Sequence, residues 1–278
     1  MRAAIPISRS NGPSLRRVIR QRPPLWREAR LGLEAAALMR DSVFRGAGVA
    51  DGYGRPVMLI PGFLAGDGSL AVMANWLRRT GHRTSGAGML ANVDCSGVAL
   101  ERLEERLERL VGGGGRRAVI IGQSRGGGLA KALACRRPDL VDGIVTLGSP
   151  QTDPLAVHPL VRLHVEGVAT LGQLGAPGVF KRSCLDGECC SEFWTHISGA
   201  MPTGVGFVSV YSRSDGIVDW RACLDPYADD QVEIAASHLG MAVSPAAYRA
   251  IAAALERFGA PRAGRPTPAA RQPLDEAA

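Results

Sequence analysis

The sequence predicts an α/β fold: a doubly wound, mostly parallel sheet with helices on both faces. Three observations carry that expectation. Short runs with hardly a polar break, "RPVMLIPG" (55–62), "RAVIIG" (117–122) and "VDGIVTLGSP" (141–150), read as strands buried on both faces. Amphipathic stretches alternate with them, and alternation of this kind builds a parallel sheet through right-handed crossovers. At 278 residues, the chain is long enough to bury one large core.

Residues 1–24 mix Pro, Ser, Arg and Gly without periodicity and read as a basic tail. "LWREARLGLEAAALMR" (25–40) places Leu25, Ala29, Leu33 and Ala36 at helical spacing, as for a helix packed on the domain; a membrane-surface helix is the alternative. Residues 68–80 fit a second helix, and "GHRTSG" starts another crossing of the sheet. In "ALERLEERLERLV" (99–111), Leu100, Leu103, Leu107 and Leu110 share one face with charges opposite. A helix over 125–136 follows the second apolar strand. The alternation breaks at 151–204, which reads as a helical and loop insertion over the sheet, with helices near 155–173 and 188–199. Strand signals return in "VGFVSVYSRSDG" (205–216) and "QVEIAASHLG" (231–240). Residues 244–259 form a closing helix capped by Ser244 with Pro245 at its first position. The folded domain is thus expected over 25–259, with a second tail at 260–278.

The net charge of +7 is concentrated at the start, where seven arginines precede the first acid, Glu28. No nucleic-acid motif accompanies them, so no nucleic-acid partner is expected; the basic N-terminus is suited instead to peripheral contact with a membrane surface. No secretory h-region and no apolar run near the ~18 residues of a membrane span is present, which makes a cytoplasmic protein the default. Six cysteines do not make a disulfide scaffold at this length. Cys184, Cys189 and Cys190 cluster in "SCLDGECC" without a paired C-x-x-C, so no metal is expected; local pairing, reduced thiols and, as the alternative, a metal site are the states open to them. Cys223 carries no spacing signal.

"AVIIGQSRGGGLAKAL" places Ser124 at the apex of a strand–turn–helix, in the pattern G-x-S-x-G. Glycines flank it because so sharp a turn leaves no room for side chains. A serine needs a base and an orienting acid to become a nucleophile. Of five histidines, His82 precedes the serine and His158, His164 and His196 fall in the insertion, which leaves His238 in "ASHLGM". Asp215, directly after an apolar strand in "YSRSDG", is the favoured acid; Asp219 is the runner-up, and Asp225, Asp229 and Asp230 look like solvated loop charges. The amides of Phe63, in "LIPGFLAG", and of Arg125 are placed to form an oxyanion hole.

These segments together resemble the lipase/esterase branch of the α/β-hydrolase superfamily, small bacterial triacylglycerol lipases in particular. "VMLIPGF" resembles the oxyanion-loop strand, "IGQSRGG" the elbow, "VTLGSP" the following strand, "VSVYSRSDGIV" the acid loop and "ASHLGM" the histidine loop. The resemblance implies a triad of Ser124, Asp215 and His238, with Phe63 and Arg125 in the oxyanion hole. It implies a serine hydrolase acting on small-molecule esters or lipids without a metal or organic cofactor. The chain departs from that pattern at Pro61-Gly62, where His-Gly is common, at Gln123, which replaces the elbow histidine, and at Arg125, which often corresponds to methionine. An acyltransferase using the same triad and a non-catalytic binding protein on this fold are the competing expectations.

Overall fold

Among the described residues, six strands make one sheet, and every pairing in it is parallel. The structure is a computed structural model describing residues 23–112, 116–185, 187 and 189–259. Both expected tails therefore lie outside the described residues, apart from Pro23 and Pro24. In chain order the strands are β1 (Pro56–Ile60), β2 (Arg83–Gly86), β3 (Ala118–Gln123), β4 (Val141–Leu147), β5 (Gly206–Tyr211) and β6 (Asp230–Glu233). Their spatial order is β2-β1-β3-β4-β5-β6. The chain steps outward from β1 to β2, then crosses back to β3 on the other side of β1. That reversal opens a crevice at the C-terminal ends of β1 and β3, where open α/β sheets gather their ligands.

Side chains alternate along each strand, so the sheet feeds two cores. Met58, Ile60 and Ile120 point to one face, which is covered by α3 (Ser96–Val111) and α4 (Arg125–Arg136). Val57, Leu59 and Ile121 point to the other, covered by α1 (Leu31–Arg40), α2 (Ala71–Arg79) and α8 (Pro245–Gly259). The α3 prediction holds residue for residue: Leu100, Leu103, Leu107 and Leu110 are all buried. Each contributes roughly 2 kcal/mol of burial.

The N-terminal segment differs from expectation. Residues Leu25–Arg30 form a 3₁₀ turn before α1, Ala29 and Leu33 face solvent, and Glu34 and Leu38 are the buried side chains of α1. A carboxylate takes the inward position because it finds donors there: Glu34 Oε1 accepts the Ser237 amide at 2.8 Å and Oε2 the Ser237 hydroxyl at 2.6 Å. Asp225 corrects a second expectation. It is buried and paired at 2.6 Å with Lys131 of α4, which is itself buried. Asp229 is also engaged, accepting the Phe207 amide at 2.8 Å.

Between β4 and β5 the chain forms α5 (Pro159–Gln173), the short α6 (Arg182–Leu185) and α7 (Ser191–Ser198). Ile197 of α7 accepts the Lys131 ammonium at 2.8 Å through its carbonyl, which ties this segment to α4. No described helix is long and apolar enough to cross a membrane.

Candidate active site

β3 ends at Gln123, and Ser124 turns the chain into α4 with φ 52° and ψ −124°. This is strained backbone for a residue with a side chain, and the surroundings hold it in place. The Ser124 amide donates to the Leu147 carbonyl at 2.9 Å, and the Gly127 amide donates back to the Ser124 carbonyl at 2.9 Å. The flanking glycines are required by contact: a Cβ on Gly122 would strike the Gly126 carbonyl, and one on Gly126 would strike that of Ile60. Ser124 is half-buried at the N-terminus of α4, the positive end of the helix dipole.

His238 precedes a short 3₁₀ turn, Leu239–Val243, after β6. Its Nδ1 lies 2.7 Å from Asp215 Oδ2, and both side chains are buried. The other Asp215 oxygen accepts the Ile217 and Val218 amides at 2.8 and 2.7 Å, so the carboxylate is locked in the turn after β5. Burial pulls the His238 pKa down, but the Asp215 charge and hydrogen bond, with Glu28 behind them, outweigh it and leave the imidazole above its ordinary 6.5. Asp219 instead caps the 3₁₀ turn Trp220–Cys223 by accepting the Arg221 amide. His82 packs on Gly52 and Thr80, His158 caps α5, and His164 bonds the Leu160 carbonyl, so each has a local structural role.

The loop after β1 approaches the serine closely. A Cβ on Gly62 would lie 3.1 Å from Ser124 Cβ, which places the neighbouring Phe63 beside the elbow. The side-chain support that a histidine at position 61 would give comes from elsewhere. Asn92 Nδ2 donates to the Pro61 carbonyl at 2.7 Å, and the Arg125 guanidinium in turn holds Asn92, the Asp94 carbonyl (2.6 Å) and Ser96 Oγ (3.2 Å). Burial lowers the Arg125 pKa to about 10, which leaves it a cation at neutral pH. Gln123 contributes as well, because its Nε2 donates to the His238 carbonyl at 3.0 Å and so ties the histidine loop to the elbow.

Sequence reasoning missed Asn92, Glu28 and Glu34. Glu28 accepts the amides of His238 (2.9 Å), Leu239 (2.8 Å) and Gly216 (2.9 Å), so one carboxylate joins the acid loop to the histidine loop. Its only trace in the sequence is an acid at the start of an apolar stretch.

Ser124 opens on a cavity of about 110 Å³. Its walls are mainly apolar and come largely from the 151–204 segment, including Val161 and Val165 of α5, Phe180, and Phe193 and Ile197 of α7. Gln151, also on the wall, is buried with neither polar atom of its side chain bonded among the described residues.

No protein-family profile matches this sequence, and no curated protein is similar to it in sequence. Solved structures are similar in fold. A mature Bacillus licheniformis lipase superposes with a TM-score of 0.55 at 14% identity, covering 75% of this chain and 94% of its own. A metagenomic carboxyl esterase gives 0.55 at 14% identity, covering 92% and 96%. A soluble variant of monoglyceride lipase from Saccharomyces cerevisiae gives 0.54 at 14% identity, covering 77% and 90%. The chain has the α/β-hydrolase fold.

Proposed function

We propose that this protein is a carboxylic ester hydrolase that works through Ser124, His238 and Asp215. The observation that carries the reading is the buried His238–Asp215 pair at 2.7 Å, with the His238 carbonyl held by Gln123 next to Ser124, which has a positive φ and opens on an apolar cavity. His238 removes the Ser124 proton as the oxygen attacks an ester carbonyl. Asp215 holds the imidazole in the tautomer with its proton on Nδ1 and stabilises the imidazolium that forms. The amides of Phe63 and Arg125 receive the developing oxyanion, helped by the N-terminus of α4. His238 then returns the proton to the departing alcohol, and a water molecule, deprotonated by the same imidazole, releases the acyl group from Ser124.

The apolar wall contributed by 151–204 favours esters with a hydrophobic acyl chain, since each buried methylene adds about 0.8 kcal/mol. The fold neighbours, two lipases and a carboxyl esterase, support the same reading. The test is a chain-length series of p-nitrophenyl esters on purified protein and on Ser124→Ala. The proposal expects turnover that rises with chain length and vanishes in the variant.

A further inference from the structure

Four cysteines converge at one point on the rim of the fold. Cys95 stands in the loop that leads into α3, and Cys184, Cys189 and Cys190 lie between the start of α6 and the start of α7. Cys95 Sγ is 3.3 Å from that of Cys190 and 4.0 Å from that of Cys189. Cys189 Sγ lies 3.0 Å from Cys184 and 3.4 Å from Cys190. All four sulfurs fall within 4.8 Å of one another. We propose that Cys95, Cys184, Cys189 and Cys190 bind a single zinc ion as a closed tetrahedral site that fastens the 151–204 segment to the body of the fold.

The dimensions select this ligand. A zinc–sulfur bond of about 2.3 Å gives a tetrahedron with edges of about 3.8 Å, in the middle of the separations found here. An iron–sulfur cluster distributes its thiolates over several iron atoms and needs a wider set. Two disulfides would draw the sulfurs into two bonded pairs about 2.05 Å apart. Here Cys189 instead neighbours all three others, an arrangement that suits one central ion. An all-sulfur tetrahedral set is that of a structural zinc.

A cation stands beside the cluster. The Arg125 guanidinium, bonded on either side of Cys95 to the Asp94 carbonyl and to Ser96, adds a compensating cation. On binding, the thiols release their protons to solvent and the sulfurs take up the ion as thiolates.

The location gives the ion a role. Cys184 is itself part of the cavity wall, beside Leu185, Phe193 and Trp194. One ligand comes from the body of the fold and three from the inserted segment, so the ion would fix the wall relative to Ser124. It would stay outside the acyl-transfer chemistry, because all four of its positions are filled by protein.

The test is metal analysis of the full chain, produced in zinc-supplemented medium and purified without chelator or a metal-affinity tag. The expected result is one zinc ion per chain that survives desalting and leaves when the thiols are modified by a mercurial. Cys95→Ser and Cys189→Ser should each lower the zinc content roughly tenfold or more, as loss of one of four ligands demands. Cys135→Ser, outside the cluster, should keep it. Cobalt-loaded protein should show the absorption of a tetrahedral cobalt–thiolate centre. Zinc-free wild-type protein, a different metal, or peptides joined through Cys95 and Cys190 after rapid thiol blocking would overturn the proposal. So would a zinc content that falls equally in Cys135→Ser.

Discussion

Glu28 and His238 are 210 positions apart in the chain, yet the Glu28 carboxylate accepts the His238 amide at 2.9 Å. The same side chain takes the amide of Gly216, next to Asp215, so it sets the distance between the acid and histidine loops. Its charge also adds to the upward pull on the His238 pKa. In Glu28→Gln the shape survives, but the charge goes and an amide NH₂ faces a backbone donor. Turnover should fall about tenfold, the equivalent of one lost charged hydrogen bond. The acid limb of the pH profile should also move to lower pH. A merely structural contact would lower stability and leave that limb in place.

His238 must be neutral to act as a base, so kcat/KM should rise with pH through an apparent pKa above 6.5. In Asp215→Asn the raising charge is gone and burial dominates, so the limb should shift down while turnover falls by roughly three to four powers of ten. Stability runs the other way. A histidine whose folded pKa is raised contributes stability that is complete below its unfolded pKa and fades as pH climbs through the folded value. Activity should therefore appear over the window in which this pair's contribution to stability declines. Paired pH–rate and pH–denaturation curves check both signs.

What the sequence made legible was local. β1 and β3 announced themselves because strands buried on both faces leave an unbroken apolar run, and the Ser124 elbow did so because Gly122 and Gly126 have no room for a Cβ. Asp215 and His238, singled out by their places after strands, lie 2.7 Å apart in the fold. Hidden from it were polar groups satisfied at long range. Glu34 occupies the inward face where Leu33 was expected, because its partner, Ser237, is 203 positions away. Asp225 reads as a solvated loop charge until Lys131 is seen against it, and Cys95 stands far from the other three cysteines in sequence. Periodicity reports which residues avoid water; it is silent on which buried charge or thiol meets which.

The Lys131–Asp225 pair allows a stability test. In Lys131→Met the Asp225 carboxylate stays buried without its cation, and the Ile197 carbonyl loses its donor. Urea denaturation should show a loss of about 3–5 kcal/mol. Adding Asp225→Leu should recover much of it, since the stranded charge is then removed as well.

Val161 faces the cavity from α5. Val161→Trp should fill part of it and cut kcat/KM for long acyl chains, by about fourfold for each methylene that no longer fits. Acetate esters should be spared. A profile that shifts uniformly at all lengths would place the acyl chain elsewhere.

The central claim is that Ser124 is the activated nucleophile. Its most direct measurement is intact-mass and peptide-mapping analysis after reaction with a small fluorophosphonate. A single adduct on Ser124, absent in Ser124→Ala and strongly slowed in His238→Ala, is the predicted result. An adduct on any other residue, or one that persists in Ser124→Ala, would contradict it.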